Sequence, residues 1–302
     1  MFRALVMKVG QIISMPFLHR FVACLPVVLT IAGPTMAHAR LDPVDLVDPF
    51  VGTSGDHGQL TPAATGPFGM VQLSPDTVPA QHAGYDYAAD QLTGFSHTRA
   101  VGVGCGGGGG DLHVALGYAG EGGPWRMDKA SEKASPGWYS VRYGAGIRVD
   151  LAAIGAAGVS RFTLPRRGTV QLVLDPRHAY TKRHSAQWTQ RLSAADLRGR
   201  MSAGTVCDQG VYHLSFAASI TLNGRPIKAT PVMRGKDQIG FDVPVMAGDR
   251  IELRTGLSVV DPVSARQVLD RSLGKRSLEA IRATVRRAWA RELGRVRVPG
   301  EG

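Results

Sequence analysis

Residues 137–174 read GWYSVRYGAGIRVDLAAIGAAGVSRFTLPRRGTVQLVL and break into four short runs: Gly137–Tyr143, Ile147–Leu151, Val159–Leu164 and Thr169–Leu174. Each run alternates or is wholly apolar, is rich in Val, Ile and aromatics, and is bounded by Gly, Pro or Asp, the signature of strands. The pattern extends outward to Phe68–Leu73 and Leu112–Leu116, and onward to Val211–Ala218, Ile239–Val245 and Arg250–Val260. Turn chemistry separates the runs, at Ser135-Pro136-Gly137, Pro165-Arg166-Arg167-Gly168, Asn223-Gly224 and Ala247-Gly248-Asp249. Many short strands at this spacing predict an all-β chain folded as an antiparallel β-sandwich. Composition agrees: 44% of the 302 residues are hydrophobic, enough for a core, while 38 glycines argue against a helix bundle.

The amino terminus reads as an export signal. Arg3, Lys8 and Arg20 precede an apolar run from Phe21 to Gly33, followed by Pro34 and the small-residue site Ala37-His38-Ala39. That run falls short of the ~20 residues a spanning helix needs, so the expectation is a cleaved leader over 1–39 and a periplasmic or extracellular product with no membrane span. Cleavage removes three basic residues and no acids, taking the formal charge from +11 to +8. It leaves Cys105 and Cys207, for which one disulfide and two free thiols are the alternatives.

The chain changes character after Asp261. Asp261-Pro262 signals a helix start, and a second helix is expected from about Ser277, with Leu278, Ile281, Val285, Trp289 and Leu293 forming one apolar stripe. A sandwich over 40–260 and a helical linker over 261–302 follow. The last 38 residues hold ten basic and four acidic side chains, yet Trp289 is the one aromatic among them. A solvated basic face fits better than a nucleic-acid surface.

The densest stretch is Asp48 to Asp111. It contains Asp48-Pro49-Phe50-Val51-Gly52-Thr53, Asp56-His57-Gly58-Gln59, and Pro67-Phe68-Gly69-Met70-Val71-Gln72-Leu73-Ser74-Pro75-Asp76-Thr77. Gly84-Tyr85-Asp86-Tyr87 and Gly94-Phe95-Ser96-His97-Thr98-Arg99 follow, then Gly102-Val103-Gly104-Cys105 and five glycines before Asp111. Loops so rich in Gly, His, Asp and aromatics commonly belong to a site. These motifs resemble the amino-terminal domain of glycoside hydrolase family 92, calcium-dependent inverting exo-α-mannosidases. Its patterns N-P-F-I-G-T, P-F-G-M-V-Q-L-S-P-D-T, G-Y-x-Y and G-F-S-H-T-x-x-x-G-x-G-C occur here in order, with weaker similarity over about 42–298. Arg99, where many members carry His, and the pure glycine run Gly106–Gly110 depart from the pattern.

The resemblance implies a galactose-mutarotase-like supersandwich that forms one wall of an α-mannoside site. It nominates Phe50, Gly52, His57, Asp76, His97, Cys105 and Asp111 as residues lining or shaping that site. It also implies that the general acid, the general base and most calcium ligands lie on an (α/α)6 barrel beyond this sequence. Neither catalytic residues nor calcium are therefore expected of this chain alone. Inverting hydrolysis needs two carboxyls roughly 6.5–9.5 Å apart. No Glu occurs between residues 40 and 120, and the six present (Glu121, Glu132, Glu252, Glu279, Glu292, Glu301) fall in turns, a charged run, a strand and the tail. His57, His97, His113 and Asp111 match no tight metal spacing. No Gly-x-Ser-x-Gly elbow or phosphate loop is present.

Three readings follow: a truncated or split mannosidase half inactive alone, an active secreted α-mannosidase when paired with a separate catalytic domain, and a non-catalytic envelope module. A split enzyme would place a separately encoded barrel on the Leu278–Leu293 stripe, and the envelope module would dock its own partner through the same helix.

Overall fold

A computed structural model describes residues 42–55, 59–80, 82–102, 107–181 and 184–296. The leader expected over 1–39 lies outside them. Fifteen strands follow in chain order. They are β1 (Ser74–Val78), β2 (Gln91–Ser96), β3 (His113–Tyr118), β4 (Trp125–Ser135), β5 (Trp138–Tyr143), β6 (Ile147–Ile154), β7 (Ala157–Thr163) and β8 (Gly168–Asp175). The rest are β9 (His184–Ser193), β10 (Asp196–Gly204), β11 (Val211–Leu222), β12 (Arg225–Pro226), β13 (Val232–Met233), β14 (Ile239–Val245) and β15 (Arg250–Ser258). All pair antiparallel in one continuous ladder ordered β13-β14-β8-β3-β2-β4-β5-β6-β7-β15-β11-β10-β9, with β1 on β2 and β12 on β11.

The ladder changes partner within β4. Trp125 and Arg126 pair with β2, whereas Met127–Asp128 and Lys133–Ser135 pair with β5 across a bulge. The two halves face each other through one core, where Leu116, Leu172 and Phe241 of one meet Val149, Phe162 and Leu253 of the other. This is the sandwich that the alternation predicts.

Two helices cover the other face of the second half. Helix α1 (Pro262–Ser272) is capped by Asp261, whose side chain accepts from Ser264 N, and α2 (Leu278–Leu293) by Ser277. Leu269, Leu278, Ile281 and Val285 bury against Trp138, Ala152, Ala157, Val159 and Ala217. This corrects the reading of the stripe as a seat for a separate barrel: its first three residues already pack on the chain's own sheet. Trp289 is partly buried there as well, and its Nε1 donates to Thr65 O at 2.7 Å. Gly256 allows the contact, since a Cβ there would stand 2.4 Å from Ala265 O.

The strand expected at Phe68–Leu73 is a turn instead. Gly69 N donates to Gly66 O at 3.0 Å, and Phe68 holds φ 58° with its side chain in solvent. Pro67 and left-handed Phe68 occupy the two central positions of a type II-like turn, which the alternating apolar letters conceal. Pairing resumes at Leu73, bridged to Ala64. Glu132, in the charged run Lys129–Lys133, has a side chain only 2% exposed.

Candidate functional site

The motif segments meet where β1 crosses β2. The register sets Asp76 opposite Gly94, with a bulge between Asp76 and Thr77 that turns the Asp76 carboxylate inward. Its Oδ1 accepts from Ser96 Oγ at 3.0 Å and from the Tyr180 hydroxyl, and lies 2.9 Å from Arg99 Nη1. Arg99 is wholly enclosed and also donates to the carbonyls of Ala83, Ser74 and Pro75. Burial opposes the Asp76 charge, but Arg99, His113, His178 and the Tyr180 hydrogen bond prevail and hold its pKa below the ordinary carboxylate value.

Two histidines close this cluster. His113 Nε2 lies 3.8 Å from Asp76 Oδ2, and its ring stacks on His178 at 4.5 Å between centroids. His178 Nδ1 contacts Gly110 O at 2.6 Å. His97 is fully buried, with Nδ1 2.7 Å from Leu112 O. Burial lowers the pKa of both His97 and His113 to about 4, so both rings are neutral near pH 7.

Beside them, Asp111 Oδ2 accepts from Thr98 Oγ1 and from the Tyr212 hydroxyl, each at 2.5 Å. Burial raises its pKa despite those donors. The glycine run is held by backbone pairing, with Ala100 N on Gly108 O and Gly110 N on Thr98 O. At Gly107 a Cβ would fall 1.8 Å from His82 O, and at Gly109 2.6 Å from Thr98 O, so only glycine fits either place. Above this pairing opens a shallow cleft of about 290 Å³, lined by Met70, Thr98, Ala100, Gly108, Tyr212 and Leu214 among others.

The family model described as Glycosyl hydrolase family 92 N-terminal domain matches residues 46–258. The chain belongs to glycoside hydrolase family 92. Among solved family 92 structures, the glycosyl hydrolase ccman5 is 33% identical, with a TM-score of 0.73 over 86% of this chain and 38% of its own. The α-mannosidase BT3965 from Bacteroides thetaiotaomicron is 25% identical, with a TM-score of 0.71 over 86% of this chain and 39% of its own. BT3965 has also been solved in complex with mannoimidazole. The present sequence thus spans well under half the length of these family 92 relatives. A comparison with curated protein sequences gives no match.

On this family 92 domain the nominated residues separate into two groups. Asp76, His97 and Asp111 come together in the buried polar cluster, where Asp76 Oδ1, His97 Nδ1 and Asp111 Oδ2 meet protein groups while Asp76 Oδ2 and His97 Nε2 are buried without a hydrogen-bond partner. Phe50 and Gly52 lie in a neighbouring turn, where the Phe50 ring packs on Tyr87 at 5.2 Å and Gly52, at φ 72°, accepts from Leu60 N. His57 and Cys105 lie outside the described residues. Cys207 is disulfide-bonded, which removes the free-thiol alternative for it. The residue before it, Val206, packs beside Gly108, so this segment adjoins the glycine run.

Sequence reasoning missed Tyr180, His178 and Tyr212, because they arrive from β8–β9 and β11, far from any motif. It also missed a second buried carboxylate. Glu132 Oε1 accepts from Tyr85 at 2.8 Å and Tyr139 at 2.7 Å, while Lys129 pairs with Oε2 and lies 4.5 Å over the Tyr87 ring.

The described residues offer no fitting donor set for the calcium that the family resemblance implies. Among the described residues no three His, Cys, Asp or Glu side chains converge as metal ligands. Asp76, the most enclosed candidate, faces the Arg99 cation, whose charge opposes a divalent ion.

Proposed function

We propose that this domain forms one wall of an α-mannoside-binding site and does not hydrolyse glycosides by itself. The carrying observation is that the buried carboxylates of the described residues are already engaged: Asp76 by Arg99, Tyr180 and Ser96, Asp86 by Ser54 and Ala88 N, Asp111 by Thr98 and Tyr212, and Glu132 by Tyr85, Tyr139 and Lys129. An inverting glycosidase needs one protonated carboxyl and one ionised carboxylate, both open to the sugar. None of these four is open. The cluster acts by positioning: Arg99 ties Asp76 to three carbonyls, and Asp111 fixes the Thr98 side chain and the paired glycines under the cleft. Sugar contact then falls to the cleft surface around Met70, Thr98, Ala100 and Tyr212. That BT3965 takes mannoimidazole supports a mannoside as the ligand class.

The leader-like residues 1–39 support action outside the cytoplasm. Among the described residues no helix is long and apolar enough to cross a membrane.

Mannose titrated into isotope-labelled domain tests the wall reading. Saturable amide shifts confined to residues 70, 98–100, 108–111 and 212 are expected. Shifts scattered elsewhere, or none at high millimolar mannose, would contradict it.

A further inference from the structure

The outer face of β4–β6, at the flank of α2, gathers cations in excess of its acids, Asp128 and Asp150, which the register sets opposite Arg142 and Ser140. A cleft of about 310 Å³ there is lined by Lys133, Arg142, Arg148, Arg282, Trp138 and Ser140, among others, and no lining residue is a carboxylate. The sheet register sets Arg142 directly opposite Arg148. Like charges in that relation repel. Arg148 is relieved by Asp150, which it meets at 2.9 and 2.8 Å. Lys133, Arg142 and Arg282 have no carboxylate within ion-pair distance among the described residues; Asp128, opposite Arg142 on β4, makes no ion pair with it.

Arg282 reaches in from α2 and lies over Trp138, its Cζ 3.8 Å from the ring centroid. Burial, then Arg286 and Arg148, lower its pKa against the pull of Asp150; Arg286 itself is paired with Asp42 and Asp45. Trp138 is 7% exposed, and its Nε1 is buried with no acceptor. An unsatisfied buried donor is destabilising, and the three unpaired cations around this ring favour an anion in the cleft. The hydroxyls are committed elsewhere, Ser140 Oγ to Val149 O and Ser131 Oγ to Asp128 O, leaving the site rich in N–H donors.

We propose that this cleft binds a phosphate group, borne by a small soluble ester or by a lipid headgroup. The guanidiniums of Arg142 and Arg282 present forked donors that match phosphate oxygens, Lys133 adds a point charge, and Arg148 is held in place by Asp150. The site stands apart from the motif loops and does not depend on a mannoside reading.

The test uses the purified chain with three probes: inorganic phosphate, glucose 6-phosphate, and phosphatidylcholine vesicles with or without phosphatidic acid. Binding of either soluble probe is expected to saturate in the low millimolar range or tighter, to weaken as NaCl rises, and to shift tryptophan emission. Arg142→Glu and Arg282→Ala should each weaken it at least tenfold, while Arg225→Ala, at the β11–β12 turn, should not. Both altered side chains are exposed, and unchanged circular dichroism separates lost binding from lost folding. Saturation by glucose 6-phosphate supports the soluble source. Retention on phosphatidic acid vesicles alone, abolished by Arg142→Glu, supports the headgroup. Binding of no probe, or binding that both variants leave intact, overturns the proposal.

Discussion

Arg99 Nη1 lies 2.9 Å from Asp76 Oδ1, and neither side chain has appreciable contact with solvent. The pair joins two motif segments, since Arg99 also donates to Ser74 O and Ala83 O at 2.7 and 2.6 Å. Removing one member of a buried pair strands the other charge.

Arg99→Met should therefore destabilise the domain by about 3–5 kcal/mol in urea unfolding. Asp76→Asn combined with Arg99→Met should cost less than the sum of the two single changes, because the stranded charge is gone. Strict additivity would show that the two groups do not interact.

Stability should fall as pH drops from about 6.5 to about 4. His97 and His113 hold folded-state pKa values near 4 against the ordinary 6.5, so in that window the unfolded chain binds protons that the folded chain refuses. Each histidine contributes a slope of about 1.4 kcal/mol per pH unit at most. Asp76, with a lowered pKa, extends the loss to more acid pH, whereas Asp111, with a raised one, works against it. His113→Gln should roughly halve the slope between pH 6 and 4.5, measured as urea midpoint against pH.

The helix seat gives a sharper packing test. Gly256→Ala places a methyl 2.4 Å from Ala265 O and 2.7 Å from Leu269 N, both backbone atoms of α1. Overpacking of this kind costs about 1–3 kcal/mol. Gly122→Ala, with nothing within 4 Å, should change stability by less than about 0.5 kcal/mol. Ile281→Ala removes a fully buried side chain from the same seat and should cost about 2–5 kcal/mol. Thermal melts compare all three.

Phe68 combines φ 58° with a side chain 94% exposed. A left-handed conformation costs a non-glycine residue roughly 1–2 kcal/mol, and no burial offsets it. Phe68→Gly should raise stability by about 0.5–1 kcal/mol after the entropy of glycine is set against the relieved strain. A lowered melting temperature would mean that the ring makes a stabilising contact.

Much of this fold was legible in the letters. Alternation located β5–β8, β14 and β15, the cap at Asp261 placed the first helix, and the apolar stripe from Leu278 placed the second. Strand β4 was hidden because its bulge breaks the alternation and its Glu132 is buried against two tyrosines. The stripe on α2 was read correctly, but periodicity does not say what covers an apolar face. The clue lay in the outward-facing small residues Ala152, Ala157, Ala217 and Gly256, which together make a flat seat for a helix. At the site, Asp76, His97 and Asp111 stood out because they lie within motifs. Tyr180, His178 and Tyr212 did not, because long-range strand pairing brings them in and no local pattern records it.

The most direct measurement is release of mannose from α-1,2-mannobiose by the purified chain with calcium present. With Asp76, Asp111 and Glu132 each held by protein donors, the rate should equal that of the buffer. Clear turnover by the domain alone, lost in Asp76→Asn or Asp111→Asn, would contradict a non-hydrolysing wall.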